Sequence, residues 1–184
     1  MCGSRRASDR GLEAARVCGR EVAKHDMHVV SGYARGVDTA THLAALDAGA
    51  GTVIVLAEGI LHFKVKQSFR EAGMTRRNVL VLSQFPPSQR WTAGGAMTRN
   101  GIICALGRAL VVIEAGERGG TLNAGRQALK INRTVYALQF GEDAPVGNRA
   151  LFDQGARCLR TSGELGTELT RIGTRAAPPP VLPT

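Results

Sequence analysis

The stretch 30–46, VSGYARGVDTATHLAAL, passes from a short β-branched run to a helical pattern through Gly32, Arg35 and Gly36. Glycine at such a junction permits a sharp turn and lets a ligand approach the main chain closely. The unpaired N–H groups that open the following helix favour an anion, most often a phosphate. A strand, a basic glycine turn and a helix together make a βα unit, and the rest of the chain decides whether it stands alone.

It does not. Short apolar runs recur at 27–31 (MHVVS), 52–57 (TVIVLA), 78–83 (NVLVLS), 109–115 (ALVVIEA) and 134–138 (TVYAL). Continuous runs of this kind suit strands covered on both faces of a parallel sheet. Helical patterns lie between them at 9–24, with Ser8 or Asp9 as N-cap, and at 37–48, 98–107 and 121–130. TSGE at 161–164 is a capping-box pattern opening a last helix to about residue 172. The alternation predicts an α/β fold with a doubly wound, mostly parallel sheet and right-handed crossovers. One domain over 1–173 is expected, followed by a Pro-rich tail over 174–184 that cannot continue a helix and reads as disordered. The front is unusual. GSRR should follow a central first strand, yet only Met1 and Cys2 precede Gly3. Either a few apolar residues of that strand are lost, which this reading favours, or the sheet manages without a full first strand.

Composition narrows the function. The chain has 184 residues, 43% hydrophobic and 21% charged, enough for a real core. Its net charge of +9 favours a polyanionic partner, nucleic acid or an acidic membrane surface. Cys2, Cys18, Cys104 and Cys158 form no CxxC pair and have no histidine partners at metal-ligand spacing, so no metal site is expected. They read as reduced thiols, three of them buried, in a cytoplasmic protein. No apolar run is long enough to cross a bilayer, so no membrane partner is expected.

In open α/β sheets ligands bind outside the carboxyl ends of the strands. Four segments fall on that edge: GSRR (3–6), SGYARG (31–36), TRN (98–100) at a predicted helix start, and ERGGTLNAG (117–125). Together they predict a concave, positive, donor-rich site. No G-x-G-x-x-G or Walker A pattern occurs, so no nucleotide cofactor is indicated. From Ile60 to Ile113 there are eight Lys or Arg and one acidic residue, Glu71, which fits a track for a nucleic-acid backbone. Tyr33 and Trp91 lie near these loops as possible base-stacking platforms, although packing explains Trp91 better and Tyr33 as well.

In order along the chain, GSRRAS, VSGYARGVDTATHLAAL, TVIVLAEGI, VLSQFP, RNGIICALGRALVVIEAGERGGTLNAGRQAL and GNRALFDQGA resemble the DNA-processing protein A family, DprA or Smf. The resemblance runs from Gly3 to about Ala156. It implies an extended Rossmann-like domain of the SLOG superfamily that binds and protects single-stranded DNA. It further implies loading of the recombinase RecA, a role in natural transformation or recombination, homodimerisation, and no catalytic activity. The family's DNA-contacting pocket falls on Gly3, Ser4 and Arg5, on Ser31, Gly32, Arg35 and Gly36, and on Arg99 and Asn100. The late glycine turn adds Gly119, Gly120 and Thr121 as phosphate-binding candidates. His42 and Asp38 match a further motif; His42 reads as a structural hydrogen-bonding residue and Asp38 as a cap of its helix turn.

Several positions depart from the family. Gln84 follows Ser83 where a glutamate is usual, Gly101 replaces the second arginine of RNR, and LHFKVKQ (61–67) replaces a YP segment. Thr121 and Leu122 follow Gly120 in place of the usual SxL, and flanking helical and winged-helix domains are absent from the sequence. These departures bear on RecA loading and competence more than on the fold. Two other classes compete. The related LOG-type phosphoribohydrolases carry PGGxGTxxE, whereas RGGTLNAG (118–125) lacks the proline and places Ala124 where the glutamate would stand. A SLOG-type sensor of a nucleotide-derived signal would use the same cradle for a small ligand.

Overall fold

The computed structural model describes residues 1–174, and the Pro-rich tail expected to be disordered lies outside them apart from Thr174. Six strands alternate with seven helices: α1 Asp9–Lys24, β1 Val29–Ser31, α2 Val37–Asp47, β2 Thr52–Val55, α3 Gln67–Glu71, β3 Val79–Leu82, α4 Ala93–Leu106, β4 Ala109–Val112, α5 Gly120–Lys130, β5 Thr134–Leu138, α6 Val146–Phe152, β6 Arg157–Leu159 and α7 Ser162–Thr174. The strands form two parallel halves in the orders β1-β2-β3 and β4-β5-β6. Val30 stands opposite Val53 and Val53 opposite Leu80, while Val111 stands opposite Tyr136 and Ala137 opposite Cys158.

Met1 and Cys2 join the halves. Cys2 forms a parallel bridge to Val112, its N–H donating to Val111 O and its carbonyl accepting from Ile113 N, both at 3.0 Å. On the other side the Met1 amine donates to Val30 O at 2.6 Å, and the Ser31 hydroxyl donates to Met1 O at 2.6 Å. Two residues thus occupy the central position that a doubly wound sheet gives to its first strand.

Side chains alternate across this surface with the period of a strand. Met1, Val111, Ile113, Tyr136 and Leu138 pack with α1, α2 and α7 on one face. Cys2, Leu110, Val112, Val135 and Ala137 pack with α4, α5 and α6 on the other. Leu46, Ile54, Leu56, Phe69 and Val79 form a third cluster where α3 closes over β2 and β3. Where helices cover both faces the strands hardly meet water, which is why they read as unbroken apolar runs, while Leu80 on β3 is 53% exposed. The thiols of Cys2, Cys18 and Cys104 are buried, and that of Cys158 is half-buried.

Two local differences from expectation have clear causes. The helix expected from residue 98 begins at Ala93, because Thr92 caps it by accepting from Gly95 N at 2.9 Å. Gly94 and Gly95 lie ahead of the expected helix start, and Gly95 lies against Ala57 O, where a Cβ would come within 2.9 Å. Arg99 and Asn100 therefore sit in the second turn of α4 and not at its start. The second difference is α6 and β6, which, like α3, were not foreseen. The start of α6 is fixed by Asn148, which is fully buried. Its amide donates to Ile113 O and Leu138 O at 3.0 and 2.8 Å and accepts from Ala115 N at 2.9 Å, clasping the carboxyl ends of β4 and β5.

Candidate nucleic-acid interface

Gly3, Ser4, Arg5, Arg99, Asn100, Gly120 and Thr121 line one cavity of about 500 Å³ at the carboxyl ends of the central strands. A second cavity of about 480 Å³ adjoins it, sharing Arg5, Ala34, Trp91 and Arg99 and adding Arg35 and Lys66. The helices α2 and α5 begin at this rim without a side-chain cap.

The loops are held together by glycine. Gly36 has φ of +80°, and a Cβ there would meet Ser4 O at 2.4 Å. That close approach lets Val37 N–H donate to Ser4 O at 3.3 Å, tying the loop after Cys2 to the start of α2. At Gly32 a Cβ would collide with the Arg99 guanidinium at 1.6 Å and with the Asp38 carboxylate at 2.5 Å. The missing side chain is the space Arg99 occupies. Ser4 is fixed from behind as well, its N–H donating to Glu114 O at 2.8 Å. The Glu114 carboxylate accepts from the N–H of Ser8 at 3.1 Å and from its hydroxyl at 2.6 Å, which occupies the start of α1 with protein.

The cations divide into two kinds. Arg5, Arg6, Arg35 and Arg118 are exposed and form no ion pair among the described residues. Arg99 is different: it is only 6% exposed, its Nη1 donates to Val55 O at 3.1 Å, and its Nε has no partner. Burial pulls its pKa below the ordinary value, and the nearby Asp38 carboxylate opposes that pull. A buried charge of this kind sits at the floor of the cavity as a fixed source of positive potential. Asp38 accepts from Ala34 N at 3.3 Å, so it ties the loop to the helix and does not pair with Arg35.

The remaining expected residues take other places. Ser31 is fully buried, and its hydroxyl is spent on Met1 O. Gly119, with φ of +117°, caps α5 and lies outside the lining of the cavity. Tyr33 packs against Phe63 and Phe69, and its hydroxyl accepts from Lys66 N at 2.8 Å. Trp91 reverses the expectation of a packing residue: it is 47% exposed on the rim, with the Arg5 guanidinium 5.4 Å from its ring centre. Arg6 and Arg118 lie in the quoted loops without having been singled out, since spacing cannot tell which arginine of a pair faces a cavity.

His42 is the buried hydrogen-bonding residue its pattern suggested. Nε2 lies 2.7 Å from Gly32 O, and Nδ1 is paired with the Thr52 hydroxyl. A neutral ring fits if Nε2–H donates to Gly32 O and the Thr52 hydroxyl turns its one proton to Nδ1 and away from Val29 O, 2.9 Å from it. Burial pushes its pKa down to about 3. The unfolded chain binds a proton near pH 6.5 that the folded chain refuses, so this contribution is complete above pH 6.5 and shrinks as pH falls toward 3. Between pH 7 and 5 the wild type should lose about 2 kcal/mol of stability through His42. His42→Gln should show a shallower decline in urea denaturation at the same two pH values. Equal slopes would mean that the ring is protonated in the fold.

Comparison with known proteins follows the same outline. The family of DNA recombination-mediator protein A matches residues 1–170. The putative DNA processing protein DprA of Mycobacterium tuberculosis is 32% identical over 185 residues, covering 98% of this chain and 47% of that protein. The X-ray structure of DprA from Streptococcus pneumoniae superposes with a TM-score of 0.77 at 29% identity, over 91% of this chain and 59% of the other. A structure of DNA processing protein A from Helicobacter pylori, described by its single-stranded DNA binding mode, gives a TM-score of 0.78 at 23% identity over 92% of this chain and 78% of the other, a likeness of fold. The chain spans about half the length of the curated relatives it matches. From its seam of central strands to its arginine-lined edge, it belongs to the DNA-processing protein A family, DprA or Smf.

Proposed function

We propose that the arginine-lined edge holds the phosphodiester backbone of single-stranded DNA. The observation that carries this reading is four exposed arginines, Arg5, Arg6, Arg35 and Arg118, gathered around adjoining cavities without carboxylate partners. Guanidinium groups fix phosphates in place but read no sequence. Trp91 on the rim offers a face for one base, which suits a splayed single strand better than a duplex. In the family's setting the bound strand is protected and passed to a RecA-type recombinase, in DNA uptake and recombination, by a homodimer. These finer roles rest on family membership. The chemistry is binding and not hydrolysis: Ala124, buried in α5, supplies no carboxylate where a phosphoribohydrolase needs one.

The test is fluorescence anisotropy with oligothymidylate, a duplex and adenosine monophosphate in parallel. Oligothymidylate should bind tightest, with a log–log salt slope of about −2 to −3 if three or four phosphates are neutralised. Tightest binding to the mononucleotide would instead support a small-ligand sensor. Free adenine released from the mononucleotide would establish an enzyme.

A further inference from the structure

The basic surface does not stop at the cavity rim. Arg5 and Arg35 also line a groove of about 750 Å³ that runs between α1 and α2, away from the carboxyl edge of the sheet. Its walls carry Arg16 and Arg20, with Lys66 at the mouth, and one carboxylate, Asp47, lies at the far end. Leu12, Ala40 and Leu43 give it an apolar floor. Arg16 and Arg20 are one helical turn apart, about 6 Å along the axis, so they repeat at a step a stretched nucleic-acid backbone can follow. Each holds the exposed Glu13 carboxylate, at 3.1 and 3.0 Å, and about half of each arginine side chain meets solvent. An exposed pair of this kind is weak enough for a phosphate to displace.

We propose that the α1–α2 groove is a second segment of the nucleic-acid track, taking the phosphodiester backbone of the strand as it leaves the apical cavity. The inference rests on the proposed single-stranded DNA binding at that cavity. Arg5 and Arg35 stand at the junction and serve both segments. Arg16 and Arg20 grip the outgoing backbone, and the apolar floor accepts base faces without selecting among them. Glu13 occupies the two arginines in the free protein and must be displaced. From the start of α1 to Arg20 the groove runs about 17 Å, room for a few nucleotides beyond those in the cavity.

The experiment compares four-nucleotide and sixteen-nucleotide oligothymidylate on the wild type, on the Arg16→Gln/Arg20→Gln variant and on Glu13→Gln. Wild type should bind the longer strand more tightly per site. The double variant should lose about tenfold on the longer strand, with its salt slope shallower by about 1.4, two phosphates at 0.7 each. It should bind the four-nucleotide strand as wild type does and keep its melting temperature, because both side chains are exposed. Glu13→Gln should shift the longer strand a few-fold in the opposite direction. A double variant indistinguishable from wild type on the longer strand, or equally weakened on both lengths, overturns the groove as a separate segment while apical binding stands. If Arg35→Ala leaves binding of the short strand unchanged, the apical reading itself fails and the groove with it.

Discussion

Asn148→Leu should lower the unfolding free energy by about 4 kcal/mol, because it strips hydrogen-bond partners from three buried backbone groups at once. Leucine matches asparagine closely in size, so the cost comes from polarity and not from a void. The Ala115 N–H and the carbonyls of Ile113 and Leu138 would be left facing an alkyl group inside the fold. Urea denaturation measures the loss directly, through a lower midpoint at unchanged slope. A loss below about 1 kcal/mol would mean that water reaches these groups after the substitution. The folded fraction should also bind DNA less well. Asn148 fixes Ala115, and the chain from there carries Gly116, Arg118, Gly120 and Thr121 into the apical cavity.

How far the sequence disclosed this arrangement differs by element. Strands β1 to β5 and the helices α1, α2, α5 and α7 were legible because each shows an apolar pattern of its own period or carries its own cap. At α7 the expected box is present in altered form: Thr161 accepts from Glu164 N at 3.1 Å, while Glu164 reaches Arg160 N at 2.7 Å. The start of α4 was hidden because Gly95 packs closely on Ala57 O just beyond β2, a tertiary reason no local pattern carries. α6 was hidden for a related reason, since its buried Asn148 amide finds its partners many residues away along the chain, and β6 because three residues carry no pattern of their own. At the site, the glycines and arginines were legible as a set, but their roles were not. Arg35 and Arg99 look alike in sequence, each within two residues of a glycine and near an expected helix start. The structure separates them by burial, placing one in solvent and the other against Val55 O.

That separation gives the sharpest prediction at the site. Arg5, Arg35 and Arg99 seemed interchangeable members of one pocket, yet Arg35→Ala and Arg99→Ala should behave differently. Among the described residues Arg35 touches no carboxylate: Asp38, its nearest sequence candidate, is engaged by Ala34 N. Removing an exposed, unpaired side chain should leave the melting temperature unchanged. A phosphate bound there would lose a charge-assisted hydrogen bond of about 1.5–3 kcal/mol, so affinity for oligothymidylate should fall about tenfold or more. The fall should be similar for every sequence, and the salt slope should lessen by about 0.7. Arg99→Ala removes a buried guanidinium, its bond to Val55 O and the charge that faces Asp38, and it leaves a void beside Gly32. It should cost about 3 kcal/mol of stability as well as weaken binding, because an uncompensated carboxylate and unfilled space remain. Arg99→Lys should restore only part of either, since an ammonium cannot span the same contacts. If Arg35→Ala lowers the melting temperature as much as Arg99→Ala while the folded fraction binds DNA normally, Arg35 is a loop brace and the phosphate site lies elsewhere on the edge.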